Sequence, residues 1–317
     1  MQIVFLDQAT IAPTVRLPEP SFTHQWQGYD QTKAEQVVQR AQQAEIVISN
    51  KVPLEADTLK QLPKLRLIAV PATGYNHIDI EACKNLGVQV CHVPDYAQTT
   101  VPEHVFALIF ALQRQLLPYQ RSLLAGRWQQ SGQFCYFDYP IRDLKGSYLG
   151  LVGAGALGSE VARIASALGM HVLQAEHKGA KQCREGYVRF EQMLEQSDII
   201  SLHCPLTPQT HHLLDAQAFA QMQRQPMIIN TARGALIDPD ALVHALQVGQ
   251  IRAAGIDVCE IEPPPADHPY MQLVGTDHFI LTPHIGWASI EAMQFVADQT
   301  IANINAFVAG QPIHLVQ

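Results

Sequence analysis

An arginine, two acids and a histidine lie in three short segments of the carboxyl-terminal half of the chain. Arg233 is in NTARGALID, Asp257 and Glu262 are in DVCEIEPPP, and His284 is in LTPHIGWAS. A guanidinium can bind a carboxylate or a keto oxygen through two parallel N–H bonds, which an ammonium cannot do. An imidazole can donate a proton to an oxygen that becomes negative when hydride arrives at the neighbouring carbon. A carboxylate on the other ring nitrogen would fix the tautomer and favour the imidazolium, and we predict that Glu262 is this carboxylate.

Each of these residues, taken alone, has an ordinary structural explanation. The chain has 14 histidines, and most histidines in proteins are surface or hydrogen-bonded residues. Acids followed by prolines are common in turns, and a single arginine can form a structural ion pair. His203 and the pair His211–His212 lack such partners in the sequence and are interpreted as structural or surface residues. The functional interpretation depends on the joint position of the three segments, each of which follows an apolar strand pattern.

A glycine-rich segment indicates a dinucleotide-binding turn. Gly153, Gly155 and Gly158 occur in G-x-G-x-x-G order, after the apolar run YLGLVG and before a helical pattern. In such a turn the first glycine makes the tight bend, the second lets the backbone approach the pyrophosphate, and the third permits close helix–strand packing. The helix N-terminus offers N–H groups and a positive dipole end to the phosphates.

The coenzyme preference is predicted from Glu176, which ends the next apolar run. A carboxylate there can accept hydrogen bonds from both ribose hydroxyls and repels a 2′-phosphate, so NAD is favoured over NADP. His177 and Lys178 follow directly, so NADP is also allowed. A methyltransferase that binds S-adenosylmethionine uses a similar turn and acid, but it does not explain six strands or the segments around Arg233 and His284.

The elements that must position these groups form two alternating series of apolar runs and helical patterns. The first series has apolar runs at 3–6, 46–49, 65–70 and 88–93, and the second has six runs between residues 148 and 282. Continuous apolar runs separated by helices predict parallel sheets that are covered on both faces. Six such strands match the size of a dinucleotide-binding sheet. The predicted fold class is α/β with two domains, which a length of 317 residues allows.

Two long helical patterns connect the series. TTVPEHVFALIFALQ predicts one helix with Thr100 and Glu103 in capping-box spacing, and a second helix is predicted after Trp287. We expect the last helix to return to the first domain, so that two crossings would make a hinge with a cleft between the lobes. The predicted division is 1–98 with 286–317 for the substrate-binding domain and 99–285 for the dinucleotide-binding domain.

Composition excludes several classes of partner. Lys and Arg total 21 against 29 acids, the net charge is −8, and there is no run of five like charges, so nucleic acid is not expected to bind. The six cysteines are scattered singly, which indicates reduced thiols in a cytoplasmic protein rather than disulfides or a zinc site. The first ten residues do not resemble a secretory signal, and the longest apolar window is too short to span a bilayer. We therefore expect no bound metal and no membrane partner.

Five segments together resemble the D-isomer-specific 2-hydroxyacid dehydrogenases. They are LGLVGAGALG, DIISLHCPLTPQT, IINTARGALID, AAGIDVCEIEPPP and LTPHIGWAS, in the family's order along the chain. ISNKVPL and LIAVPATGYNHID are most similar to the glycerate dehydrogenase (hydroxypyruvate reductase) branch of that family. The resemblance implies a homodimer with a Rossmann dinucleotide-binding domain and a flavodoxin-like substrate domain, both built on parallel sheets.

The resemblance also implies roles for individual residues. Arg233, Glu262 and His284 fall on the catalytic positions, with His284 as the proton donor. The dinucleotide contacts are predicted to be Gly153, Gly155, Ala156, Leu157, Gly158, Glu176, Cys204, Pro205, Thr210, Thr231, Ala232, Arg233 and Asp257. The substrate contacts are predicted to be Lys51, Ala72, Thr73, Gly74, Arg233 and His284. Glu260 is expected to be solvated. Glu176 replaces a commoner aspartate, and Pro102 replaces a usual alanine.

The implied activity is hydride transfer between NAD(H), or NADP(H), and a small 2-keto acid. Hydroxypyruvate and D-glycerate are the favoured pair, and glyoxylate and glycolate form a second pair. D-lactate or another D-2-hydroxy acid is an alternative substrate, because the sequence does not determine the shape of the side pocket. A different class of protein, a nucleotide-sensing interaction protein similar to transcriptional corepressors, is the other alternative.

Overall fold

The computed structural model describes residues 1–316, which divide into two compact units. The first unit is Met1–Ala97 together with the segment that begins at Ala288, and the second is Gln98–Trp287. The predicted boundaries, after residues 98 and 285, differ from these by one and two residues. The assignment of a substrate-binding role to one unit and a dinucleotide-binding role to the other stays a prediction.

The first unit is built on a five-stranded parallel sheet. Its strands are β1 (Gln2–Phe5), β2 (Gln25–Gly28), β3 (Ile46–Ile48), β4 (Leu67–Ala69) and β5 (Gln89–Cys91). They lie side by side in the order β2-β1-β3-β4-β5, and every neighbouring pair is parallel. The 2-1-3-4-5 order is that of the flavodoxin-like fold, so the predicted class of this unit is confirmed.

Helices cover this sheet because its central strands are apolar on both faces. The helices are α1 (Val37–Ala41), α2 (Ala56–Leu59), α3 (Ile80–Leu86) and a C-terminal helix (Ile290–Val308). The carboxylate of Asp79 caps α3 by accepting the N–H of Ala82, and Gly87 ends the helix at a φ of +70°. The C-terminal helix packs against β4. Residues 50–51 and 71–76 follow β3 and β4 and form loops at the carboxyl edge of the sheet.

The second unit is built on a seven-stranded parallel sheet. Its strands are β6 (Tyr148–Val152), β7 (His171–Ala175), β8 (Tyr187–Val188), β9 (Ile199–Leu202), β10 (Met227–Asn230), β11 (Ala253–Ile256) and β12 (Phe279–Leu281). Its helices are α4 (Thr100–Gln113), α5 (Leu116–Leu124), α6 (Arg127–Ser131), α7 (Ala156–Ala167), α8 (Phe190–Gln196), α9 (Ala216–Ala220) and α10 (Pro239–Gln247). The strand order is β12-β11-β10-β9-β6-β7-β8. This is the 3-2-1-4-5-6 order of a Rossmann sheet with one strand added, and it confirms the predicted class.

Each central strand of this sheet contributes to two separate cores, because neighbouring side chains of a strand point to opposite faces. Ile199 packs into the core beneath α4 and α7, and Ile200 packs into the core on the other face. Ile229 and Ile228 of β10 divide in the same way. A strand that is buried on both faces needs a continuous apolar run, and this is why the sequence revealed these strands.

Two predictions about these elements were wrong in detail. The sequence pattern predicted four strands in the first sheet and six in the second. The two strands that it missed, β2 and β8, are edge strands without a continuous apolar run. The predicted capping box at Thr100 does not form in the described chain. The N-cap of α4 is Thr99, and its side chain makes no capping hydrogen bond. The hydroxyl of Thr100 instead donates to the carbonyl of Gly286 at 3.1 Å.

Candidate active site

The glycine-rich turn between β6 and α7 has the geometry of a phosphate-binding turn. Gly153 has a φ of +103°, and a Cβ there would lie 2.6 Å from the backbone carbon of His203. A Cβ on Gly158 would lie 2.1 Å from the carbonyl oxygen of Gly153. Gly155 precedes α7 as its N-cap, and a Cβ there would have no neighbour within 4 Å. Close packing therefore requires glycine at positions 153 and 158. Gly155 instead leaves open space at the N-terminus of α7, which begins with Ala156. Helix N-termini of this kind can bind phosphates.

A cavity of about 630 Å³ extends from this turn to the ends of β7 and β9. The predicted dinucleotide contacts that line it are Gly153, Gly155, Glu176, Cys204, Pro205 and Thr210. Burial raises the pKa of the Cys204 thiol to about 11, so this side chain is neutral at pH 7 and behaves as a small apolar group. The hydroxyl of Thr210 donates to the carbonyl of Pro205 at 2.7 Å, which closes this wall of the cavity.

Glu176 lies at the end of β7 and is paired with Arg184, a residue that sequence reasoning missed. The guanidinium donates from Nε to Oε2 at 2.8 Å and from Nη2 to Oε1 at 2.7 Å. The backbone N–H groups of His177 and Arg184 also donate to the carboxylate. The hydrogen bonds from the Arg184 side chain are the main reason that the pKa of Glu176 is lowered to about 2. Glu176 is therefore ionised at neutral pH and fixed at the cavity wall.

The predicted site residues of this unit follow the carboxyl ends of six adjacent strands. In order along the sheet edge from β12 to β7, they are His284, Glu262, Arg233, Cys204, Gly153 and Glu176. The strand order reverses between β6 and β9, and doubly wound sheets bind their ligands at such a reversal. The glycine-rich turn lies at this reversal, with the acid Glu176 on one side and the arginine and histidine on the other.

His284 and Glu262 are joined by a direct hydrogen bond. Nδ1 of His284 lies 2.6 Å from Oε2 of Glu262, and Oε1 of Glu262 accepts the N–H of Cys259 at 2.9 Å. A carboxylate, when ionised, can only accept a hydrogen bond, so the tautomer that fits this contact is the one with a proton on Nδ1. The two side chains are 27% and 35% exposed, which leaves Nε2 as the nitrogen available for proton transfer to a ligand.

The backbone of His284 is held by Asp257. His284 has a φ of +54°, a left-handed conformation that costs a residue other than glycine about 1–2 kcal/mol. Its N–H donates to the carbonyl of Asp257 at 2.8 Å. The carboxylate of Asp257, only 2% exposed, accepts the N–H groups of Ile285 at 3.0 Å and Gly286 at 2.8 Å. These bonds fix the chain on both sides of the strained residue.

Two further side chains contact the carboxylate of Asp257. The hydroxyl of Thr282 donates to Oδ1, and Nε2 of His104 lies 3.1 Å from that hydroxyl and 3.4 Å from Oδ1. Burial by itself would raise the pKa of Asp257, but the hydrogen bonds from His104, Thr282, Gly286 and Ile285 outweigh it and the pKa lies below its usual value. Both oxygens therefore have protein donors, and the predicted coenzyme contact of Asp257 would add to these bonds. Sequence reasoning missed His104, because a single histidine in an apolar helix gives no signal.

Arg233 and Thr231 lie in the turn that follows β10. The guanidinium of Arg233 donates to the carbonyl of Ala232 at 2.7 Å and forms no salt bridge within residues 1–316. The amide of Asn230 holds this turn by donating to the Arg233 carbonyl at 2.8 Å and accepting the N–H of Ala232 at 3.0 Å. The hydroxyl of Thr231 is buried without a hydrogen-bond partner in the described chain. A guanidinium without an anionic partner suits an anionic ligand such as a dinucleotide, and the unsatisfied hydroxyl of Thr231 leaves one more polar group in this turn without a protein partner.

Comparison with known proteins identifies the family. A profile described as "D-isomer specific 2-hydroxyacid dehydrogenase, NAD binding domain" matches residues 106–286. A glycerate dehydrogenase of Methylorubrum extorquens is 48% identical over 317 residues, covering 100% of this chain and 99% of the relative. The chain belongs to the D-isomer-specific 2-hydroxyacid dehydrogenase family. A hydroxypyruvate reductase of Blautia hydrogenotrophica is 35% identical over 296 residues, 91% of this dehydrogenase and 90% of the relative.

The solved structure of D-lactate dehydrogenase from Aquifex aeolicus, complexed with NAD and lactic acid, has a similar fold. Its TM-score is 0.83 at 27% identity, over 98% of this dehydrogenase and 96% of that chain. The predicted family, fold, enzyme class and coenzyme class are confirmed: this dehydrogenase is an oxidoreductase that uses NAD or NADP on a 2-keto or 2-hydroxy acid. The roles of individual residues stay predictions.

The predicted substrate contacts of the first unit follow β3 and β4 of the dehydrogenase. Lys51 is exposed, and its backbone N–H donates at 2.7 Å to Asp7, a buried acid that sequence reasoning missed. Residues 72–74 form a loop in which the hydroxyl of Thr73 donates to the carbonyl of Val93 at 3.0 Å. Both segments are thus held at the carboxyl edge of their own sheet. Among residues 1–316, no helix is long and apolar enough to cross a membrane.

Proposed function

We propose that this dehydrogenase reduces hydroxypyruvate to D-glycerate with NADH, and that it also reduces glyoxylate to glycolate. The observation that carries the proposal is the hydrogen bond of 2.6 Å between His284 and Glu262 at the ligand-binding edge of the dinucleotide sheet. The choice of substrate is supported by full-length similarity to a protein named glycerate dehydrogenase and by a relative named hydroxypyruvate reductase.

His284 is the proposed proton donor. The bound dinucleotide supplies the hydride that reduces the keto carbon. His284 as imidazolium donates the proton of Nε2 to the keto oxygen, which becomes the hydroxyl of the product. Glu262 keeps its negative charge and accepts from Nδ1, so it stabilises the imidazolium and orients the ring before the transfer. The neutral ring then takes a proton from water, which the partial exposure of its side chain allows.

Arg233 is the proposed anchor for the substrate. Its guanidinium has no carboxylate partner within the described chain, so the N–H groups that do not donate to the Ala232 carbonyl are available for the substrate carboxylate or keto oxygen. The backbone N–H groups of Ala72, Thr73 and Gly74 are proposed to bind the substrate carboxylate, and Lys51 is proposed to add positive charge near it. Asp257 is proposed to keep His284 in position, in addition to its expected contact with the coenzyme.

A panel of 2-keto acids tests the proposed activity. The purified protein is mixed with NADH and hydroxypyruvate, glyoxylate or pyruvate, and kcat/KM is measured from the loss of NADH absorbance. We expect hydroxypyruvate to give the highest value. A higher value for pyruvate would favour a D-lactate-type dehydrogenase. No turnover with any 2-keto acid, together with a stoichiometric protein partner in a pull-down, would favour the interaction-protein alternative.

NADH is proposed as the preferred coenzyme. Glu176 is ionised at neutral pH and would repel a 2′-phosphate while accepting hydrogen bonds from the ribose hydroxyls. In the variant Glu176→Ala, Arg184, His177 and Lys178 would remain to attract the phosphate. We therefore expect the ratio of kcat/KM with NADH to kcat/KM with NADPH to fall at least ~10-fold in this variant. A wild-type preference for NADPH would contradict the proposal.

A homodimer is proposed as the functional assembly. The segment around α5 and α6 exposes large apolar side chains, among them Leu116, Leu124, Trp128, Phe134 and Phe137. Exposed apolar groups gathered in one segment commonly mark an interaction surface, and a second copy of this chain is the proposed partner. Light scattering on the eluting protein should give twice the chain mass. The variant Phe134→Asp combined with Phe137→Asp should shift it to the monomer mass.

A cytoplasmic location is proposed from the thiols. All six cysteines are free in the structure, which suits a reducing compartment. Fractionation of cells that express the protein should recover it with other cytoplasmic enzymes, and recovery from a secreted fraction would contradict this proposal.

A further inference from the structure

Three side chains of ligand type come together outside the proposed catalytic and dinucleotide residues. Nε2 of His211 lies 3.8 Å from Oε1 of Glu260, and Nε2 of His212 lies 3.9 Å from Oε2. One ligand atom from each residue can be chosen so that all lie within 4.8 Å of one another. The histidines follow β9 and the acid follows β11, so residues distant in sequence meet at one point. Sequence reasoning interpreted the histidine pair as structural or surface residues and did not anticipate this contact with Glu260.

Hydrogen bonds do not account for this cluster. Both nitrogen–oxygen distances exceed hydrogen-bond length. The Nε2 atom of His212 is buried and has no hydrogen-bond partner within residues 1–316, and an unpaired buried nitrogen is unfavourable. The other ring nitrogen of His212 lies 4.0 Å from a carboxylate oxygen of Asp238, which is also beyond hydrogen-bond length.

The geometry points to a binding site for a divalent transition-metal ion of the zinc class, formed by His211, His212 and Glu260. Two imidazole nitrogens and one carboxylate oxygen are a ligand set that Zn²⁺ uses, whereas Mg²⁺ and Ca²⁺ prefer oxygen ligands throughout. The imidazole rings stack with centroids 4.0 Å apart and planes 27° apart, so the ring of His211, which is 49% exposed, must rotate out of the stack before both nitrogens direct their lone pairs at one ion. A fourth position would be filled by water.

The distances are close to those that the ion needs. Tetrahedral bonds of about 2.1 Å place ligand atoms about 3.4 Å apart, so the observed 3.8 and 3.9 Å must shorten by about half an ångström. The side chains of His211 and Glu260 are 49% and 43% exposed and can make this movement. A bound ion would join the segment of Thr210 to the segment that carries Glu262, and it would stabilise the folded state by mass action.

Zinc titration of the full-length protein tests the site. Protein treated with a chelator and then desalted is titrated with Zn²⁺ by calorimetry, and we expect one ion per chain with a Kd in the micromolar range or below. Glu260→Gln, which keeps the shape of the exposed side chain, should weaken binding at least ~10-fold by removing the negative ligand. His212→Ala should remove binding. His278→Ala, which changes another exposed histidine of the same unit, should leave the Kd unchanged.

Three results would overturn the site: no Zn²⁺ binding by the parent protein, binding that Glu260→Gln leaves unchanged, or binding that a folded His212→Ala variant retains. The last two would place the ion elsewhere, with the exposed thiol of Cys183 as one such location. Circular dichroism checks that each variant folds, and Glu260→Gln decides the question if His212→Ala does not fold. The titration needs no substrate or coenzyme, so its outcome is independent of the proposed activity.

Discussion

Replacement of Glu262 by glutamine removes the negative charge beside His284 without removing the shape of the side chain. The amide oxygen can still accept the N–H of Cys259, which is 2.9 Å from Oε1 of Glu262. The amide nitrogen then takes the place of Oε2, 2.6 Å from Nδ1 of His284. An amide N–H donates, and it therefore opposes the proton that Nδ1 must carry in the imidazolium. We expect Glu262→Gln to lower kcat while the local backbone stays intact.

The size of the effect follows from the strength and exposure of this hydrogen bond. Hydrogen bonds to charged groups contribute about 1.5–3 kcal/mol. Because the two side chains are 27% and 35% exposed, water screens part of the interaction, and the lower half of this range applies. A loss of about 1.5–2 kcal/mol corresponds to a decrease in kcat of about 10–30-fold. His284→Ala, which removes the proton donor itself, should lower kcat by about 10²–10⁴-fold.

The assay is a double-mutant cycle. The parent protein, both single variants and the double variant are compared by kcat with hydroxypyruvate and NADH, and the Kd for NADH is measured by fluorescence titration. If Glu262 acts only through His284, Glu262→Gln should not lower kcat further in the His284→Ala background. Asp267→Asn, which neutralises an exposed acid on the same segment, should leave kcat unchanged. The Kd for NADH should change little in any of these variants.

Two outcomes would refute this reasoning. An unchanged kcat in Glu262→Gln would remove the carboxylate from the mechanism. An equal loss in the parent and in the His284→Ala background would show that Glu262 acts independently of the histidine, for example through the fold of its segment. A decrease in the stability of Glu262→Gln, measured by urea unfolding, would accompany the second case.

Four further substitutions have defined outcomes. Gly158→Ala would place a Cβ 2.1 Å from the carbonyl of Gly153 and should lower the free energy of unfolding by about 1–3 kcal/mol in urea unfolding, whereas Gly155→Ala should leave stability unchanged and weaken only NADH binding. Asp257→Asn should lower the free energy of unfolding by about 2 kcal/mol at pH 7. The pKa of Asp257 in the folded state is below its usual value of 3.8. The difference in stability between the variant and the parent should therefore be largest above about pH 4 and decrease as the pH falls further. Arg233→Lys should raise KM for the keto acid and lower kcat/KM about 10–100-fold, since one ammonium cannot form two parallel bonds; an unchanged KM would remove Arg233 from substrate binding.

Much of the fold was predictable because its signals are local in the sequence. The strands β3, β4, β6, β9 and β10 lie in largely apolar runs, since each is buried on both faces. The edge strands β2 and β8 have a partly exposed face, and no continuous run marks them. The cap of α4 was also predicted wrongly, because the hydroxyl of Thr100 finds a partner 186 residues away at Gly286. A local spacing rule cannot anticipate such a partner.

The order of chemical groups along the chain was determined by the sequence itself. No coordinates were needed to identify this order: G-x-G-x-x-G after one strand, an acid after the next strand, and Arg233, Glu262 and His284 after later strands. A parallel sheet brings the carboxyl ends of its strands to one edge, so groups that follow successive strands in the sequence lie along the same edge in space. The contact between His284 and Glu262 could be predicted for this reason, and the structure contains it.

Tertiary structure alone decided which side chains become partners across loops and between elements. Arg184 on Glu176, His104 near Asp257 and Glu260 near His211 pair residues that no motif connects. Hydrogen bonds and ion pairs act over a few ångströms, and whether two side chains come that close depends on how the loops after each strand turn. Those turns are set by packing and backbone strain, such as the φ of +54° at His284, which a pattern of residue types does not encode.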